Sequence, residues 1–175
     1  MFKLFIIGCV AWMLISTYQV EERLNFHKEV KTSINVYETT IGNLNKYGIR
    51  FPEVFVAQIL HETAGLNSLV YTNCNNLIGM KHNSRGYSKG ICRGHARYTT
   101  KIDCFKDYKA YQDKYLTYYE QKIVRRKITT NKEYIRFLYW IGYAEDPLYE
   151  TKLLNWMHKI KAAKIELKDM QSLNL

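Results

Sequence analysis

Pro52-Glu53-Val54-Phe55-Val56-Ala57-Gln58-Ile59-Leu60-His61-Glu62-Thr63-Ala64-Gly65 is the stretch on which the fold turns. Proline suits the first turn of a helix, where its missing N–H costs nothing. The apolar residues that follow leave little polar face, so this helix is buried on most sides. It ends near Glu62-Thr63, and Gly65 can supply the left-handed turn that closes it. Glu62 therefore sits at the C-terminal end of a buried helix. Burial disfavours the carboxylate and raises its pKa, and the negative helix pole pushes the same way. A carboxyl kept protonated near neutral pH can give its proton to a leaving glycosidic oxygen. The ordinary alternative is a solvated helix-end glutamate. His61, on another side of the helix, reads as structural or groove-lining rather than as a ligand.

Upstream, Ile34, Tyr37, Ile41, Leu44 and Tyr47 recur at helical spacing, with Ser33 as cap and Gly48 as stop. Downstream, periodicity disappears from Tyr71 to Tyr98. The asparagines and glycines there predict loops with a short β-hairpin. Helical patterns return over about 101–121, with Phe105, Tyr108, Tyr111/Gln112, Tyr115 and Tyr119 on one face, and over about 131–141. Asp146-Pro147 reads as cap and first residue of a last helix, whose inner stripe is Tyr149, Leu153, Trp156, Met157 and Ile160.

The 175 residues suit one domain with a real core. Nearly half are apolar and only two are proline, which excludes a disordered chain. Fifteen tyrosines suit the lining of a wet groove, although most serve equally well to pack helices. The formal charge of +10 attracts polyanions without choosing among nucleic acid, anionic lipid and cell wall. Lys3 precedes an uncharged run from Leu4 to Val20, ended by Glu21-Glu22-Arg23. Residues 1–20 thus read as a signal peptide or an uncleaved N-terminal membrane anchor, and residues 21–31 as a polar tether. Residues 32–165 form the domain and 166–175 a tail. Export would place Cys74, Cys92 and Cys104 in an oxidising space. Three single bridges are open to them, and Cys104, inside a helical pattern, can equally be a plain buried thiol. His27, His61, His82, His95 and His158 lack metal-site spacing, so no metal or cofactor is expected.

Four motifs in order add a resemblance. Val56 to Ser68 is similar to the "AQ-x-x-x-E-[ST]-x-G-x-x-S" segment of the glucosaminidase family, glycoside hydrolase family 73. Asn76-Leu77-Ile78-Gly79-Met80-Lys81 resembles its "N-L-F-G-I-K", and Arg97-Tyr98 with Phe105 and Asp107-Tyr108 its "[FY]-R-x-Y…S-x-x-D-Y". Gly142 to Tyr149 resembles "G-Y-A-T-D-P-x-Y". The set covers about residues 52–160. The resemblance implies a mainly α, lysozyme-like domain with a small loop/β-hairpin lobe flanking a substrate groove. It implies cleavage of the β-1,4 bond after N-acetylglucosamine in peptidoglycan. It also implies Glu62 as catalytic acid, Tyr143 in the groove, and substrate contacts from Asn76, Lys81, Arg97, Tyr98 and Tyr149. Core packing accounts for Tyr143 as well, and backbone bracing for Asn76.

The chain departs from the family in one respect. Many members carry a second acid in the lobe after the second motif, whereas no Asp or Glu occurs here from Ala64 to Ile102. The substrate's 2-acetamido group, or a water positioned by Tyr143, is the favoured substitute; an acid from elsewhere, such as Glu145 or Asp146, is the third option. The same lobe carries Lys81, His82, Arg85, Lys89, Arg93, His95 and Arg97, which suits an anionic wall polymer or simply a solvated loop. The competing readings are a lytic transglycosylase using Glu62 and a non-catalytic wall-binding module. A nucleic-acid binder is disfavoured by the export signal. A monomer acting on peptidoglycan strands outside the cytoplasm is the expectation.

Overall fold

In the computed structural model, the structure describes residues 17, 18, 21, 38 and 40–173. The leader and tether therefore lie outside the described residues, save for Thr17, Tyr18 and Glu21, as do the proposed cap Ser33 and the helix positions Ile34 and Tyr37. Among the described residues no helix is long and apolar enough to cross a membrane.

The architecture is helical, as the sequence led one to expect. Helix α1 covers 40–46 and stops at Gly48, where φ is +64°. Helix α2 (Pro52–Glu62) is the centre of the domain: Val54 through Leu60 are all buried. Its two sides face two cores. Phe55, Val56, Ile59 and Leu60 pack with Leu44, Ile78, Tyr98, Phe105 and Tyr108, whereas Val54 and Ala57 pack with Ile135, Phe137, Leu138 and Leu153. Fully burying one such side chain contributes about 1.5–3 kcal/mol, which explains why this helix carries no exposed apolar stripe. The turn that ends α2 is left-handed at Ala64, Gly65 and Leu66, and the Gly65 N–H reaches back to the Leu60 carbonyl.

Three elements differ from the sequence reading, the third being the last helix, which begins at Tyr149 instead of Pro147. Leu69–Cys74 forms a short helix, α3, whose cap Ser68 accepts from the Tyr71 N–H; six residues are too few for a helical period to register. Helix α4 (Lys101–Tyr118) passes into a π-helical turn (Tyr119–Ile123). There Glu120 is buried and accepts from Arg50, Lys127 and the Ile128 N–H.

Between α3 and α4 lies the expected hairpin, β1 (Ile91–Cys92) against β2 (His95–Ala96), antiparallel, with Cys92 opposite His95. A disulfide joins Cys74 at the end of α3 to Cys92 in β1, and among the described residues Cys104 is left as a buried free thiol. Helix α5 (Asn131–Trp140) and α4 both begin with full capping boxes, Thr130/Glu133 and Thr100/Asp103. Helix α6 (Tyr149–Leu173) starts after a turn in which Asp146 accepts from the Leu148 N–H. It continues through 166–173, the stretch read from sequence as a tail. Both α5 and α6 rest on α2.

Candidate active site

The exposed surface of Glu62 lines a cleft of about 560 Å3. One wall is the lobe segment Ile78 to Asn83 with Arg85 and His95; the other is Tyr111, Gly142, Tyr143 and Glu145. Glu62 is thus less enclosed than the apolar helix implies, because the apolar face is turned to the cores and the last residue to the cleft. Partial burial still holds its carboxyl above the usual carboxylate range, against a weaker opposing hydrogen bond from Tyr149.

That bond is the last link of a buried chain. The Gln112 amide is oriented by Arg50, whose N–H donates to Oε1 and whose carbonyl accepts from Nε2. Nε2 then also donates to the Tyr134 hydroxyl at 2.7 Å. Tyr134 and Tyr108 share a 2.6 Å bond, Tyr108 donates to Gln58 Oε1 at 2.8 Å, and Gln58 Nε2 donates to the Tyr149 hydroxyl at 3.2 Å. Tyr149 donates to Glu62 Oε1 at 3.2 Å. A reversed Tyr108–Tyr134 bond would leave the Tyr134 hydrogen without an acceptor, so Tyr134 donates and every link runs towards Glu62. Oε1 is therefore an acceptor, and an acidic proton on Glu62 belongs on Oε2. That oxygen faces Gly79: a Cβ placed there would lie 3.7 Å from it and 3.8 Å from the His95 ring. Gly79, at φ +72°, lets the loop come this close.

A signed consequence concerns Tyr149→Phe. It removes a hydrogen bond that favours the ionised carboxylate, so the Glu62 pKa moves further up. If Glu62 acts as an acid, its protonated form persists to higher pH, and the alkaline limb of a pH–rate profile should move upward. A downward movement would contradict this wiring.

The other residues singled out from sequence fall into three groups. Tyr143 and Lys81 line the cleft; the Tyr143 hydroxyl donates to the Ile78 carbonyl at 2.5 Å, and Lys81 Nζ donates to the Gly94 carbonyl at 3.2 Å. Asn76, Tyr98 and Tyr149 are buried. Asn76 donates to the Met80 and Ala96 carbonyls and accepts from the Met80 N–H, which braces the loop that carries Gly79. Tyr98 donates to Asp107 at 2.6 Å. Arg97 is exposed and does not line the cleft, its backbone pairing with Lys89 and Gly90.

Two residues that lie within the motifs had no role of their own in the sequence reading. Gln58 is a polar residue on an otherwise apolar helix, four before Glu62 and so on the same face, which is a usable signal. Asp107 is fully buried and holds Arg85 at 2.5 Å and Asn83 at 3.1 Å, pinning the lobe to α4. Glu145, named from the sequence as one acid that could reach in from elsewhere, and His95, one of the basic lobe residues, both line the cleft. Among the described residues no group of three or more His, Cys, Asp or Glu is placed to hold a metal ion.

Comparison with solved structures finds a likeness of fold to the catalytic domain of the autolysin Auto from Listeria monocytogenes: TM-score 0.54 and 19% identity, over 78% of this chain and 86% of that one. Among curated protein sequences none matches significantly. A family description, mannosyl-glycoprotein endo-beta-N-acetylglucosaminidase, matches residues 37–162 and so takes in α2, the cleft and most of α6. The chain belongs to the glucosaminidase family.

Proposed function

We propose that this protein is a peptidoglycan hydrolase that cuts the β-1,4 bond after N-acetylglucosamine, with Glu62 as general acid. The observation that supports this most is the state of Glu62: a carboxyl on the cleft with a raised pKa, one oxygen occupied by Tyr149 and the other facing Gly79 of the cleft wall. In this reading Oε2 gives its proton to the bridging sugar oxygen as the C1–O bond breaks. The 2-acetamido oxygen of the same sugar, or a water beside Tyr143, forms the new bond at C1. Water finally supplies the hydroxyl of the new reducing end and returns a proton to Glu62.

The cleft also contains one further carboxylate among the described residues, that of Glu145. Glu145→Gln separates the routes. An acetamido nucleophile predicts little loss, whereas a water activated by Glu145 predicts a loss of about a hundredfold. Lys81, His82 and His95 give the lobe wall a basic character suited to the carboxylates of peptide stems. The protein would act outside the cytoplasm, delivered by its N-terminal segment, as a monomer without a cofactor.

Mass spectrometry of digested purified wall tests the reaction. A reducing N-acetylglucosamine end is expected. An anhydromuramic end would make the protein a lytic transglycosylase instead, and release of no sugar would leave a wall-binding module.

A further inference from the structure

The cleft has a neighbour. Tyr111 lines the cleft, and one helical turn along α4 its ring meets that of Tyr115, centroids 4.8 Å apart. Tyr115 in turn lines a second hollow of about 420 Å3, with Lys114, Tyr118, Trp140 and Ile141. The two depressions also adjoin at the end of α5, where Ile141 borders one and Gly142 the other. From Tyr111 to Tyr118 the helix advances about 10 Å, so the hollow sits beside the cleft, joined to it by the touching rings of Tyr111 and Tyr115.

Its aromatic rings are unusually open. Tyr118 is 54% exposed and Trp140 46%, and the two stack with centroids 6.4 Å apart and planes 23° from parallel. Tyr119 holds Trp140 from behind at 5.0 Å. Adjoining exposed aromatics gain nothing for the fold by staying in water, and clustered apolar surface of this kind marks a binding site. Flat, rigid rings with a polar rim offer apolar faces to the C–H faces of sugar rings at little entropic cost. Lys114 Nζ stands 5.0 Å over the Tyr115 ring and places a positive charge at the same spot.

We infer that this aromatic track is a remote subsite for the glycan strand, holding N-acetylated sugars that bear carboxylate substituents while the scissile bond lies at Glu62. The inference rests on the hydrolytic reading of the cleft. Continuity with the cleft through Tyr111, together with the Lys114 charge, selects a glycan of the substrate's own kind over an unrelated partner.

The test compares Trp140→Ala, Trp140→Phe and wild type in two assays. The first is co-sedimentation with purified wall sacculi in a Glu62→Gln background. The second is the rate on sacculi relative to the rate on a soluble tetrasaccharide from the same wall. Trp140→Ala should weaken sacculus binding about tenfold and lower the rate ratio about tenfold, and Trp140→Phe should restore most of both. An unchanged ratio with unchanged binding overturns the inference. So does a wild-type dimer in sedimentation velocity that Trp140→Ala dissolves without moving the ratio, since the face would then belong to a second copy of the chain. Should wild type cut neither substrate, the hydrolytic reading fails by itself, and the binding arm still decides the track.

Discussion

Glu62→Gln should lower hydrolysis of purified wall by about 10²- to 10⁴-fold, the contribution typical of a positioned general acid. Glutamine keeps the shape of the side chain, and its carbonyl oxygen can still accept from Tyr149, which donates to Oε1 at 3.2 Å. The buried chain behind it therefore stays paired, and the melting temperature should hold. What is lost is the proton at Oε2. Co-sedimentation with sacculi should persist, because the lobe and the cleft walls are untouched. A loss below tenfold on purified wall would remove Glu62 from the acid role.

Asp107→Ala is expected to cost about 3–5 kcal/mol of stability, as breaking a buried ion pair by removing one partner does. The Asp107 carboxylate is fully buried and accepts from Arg85 Nε and Nη2, from Asn83 Nδ2 and from the Tyr98 hydroxyl. Without it the Tyr98 hydroxyl is buried unpaired and Arg85 loses its counter-charge. For a chain of this size the melting temperature should fall by about 10 °C. The loss should be felt first in the lobe, so the backbone amides of Ala96 and Arg97 should exchange faster with solvent than those of α2. A drop of less than about 2 °C would show that these bonds are replaced by water at no cost.

The fold was legible where local chemistry decides it. Pro52, the unbroken apolar run behind it and Gly65 fix the central helix, and the glycine-rich stretch before Tyr98 announces a hairpin. The motif order carried the architecture further than periodicity could, since it implied a lysozyme-like domain with Tyr143 in the groove, and Tyr143 lines the cleft. Two things escaped for one reason: each depends on residues far apart in the chain. The Cys74–Cys92 pairing follows from how α3 lies on the hairpin. Gln58 and Gln112 look like isolated polar residues until Tyr108 and Tyr134 are placed between them. Short elements failed differently: α3 is too brief to show a period, and the π turn after Tyr118 has no sequence signature of its own.

From Tyr134 to Glu62 every donor points the same way, and each phenol in that file has a single hydrogen to give. Turning one link round would require all the later ones to turn with it, inside a packed core. The file is interrupted by the carboxamides of Gln58 and Gln112, which accept at one atom and donate from another without handing on a proton, so no hydrogen arrives at Glu62 from the protein's interior. An acid working at this position discharges and reloads through one door, the side on which sugar and bulk water stand. Its recharging after each cut would wait on the product's leaving the threshold.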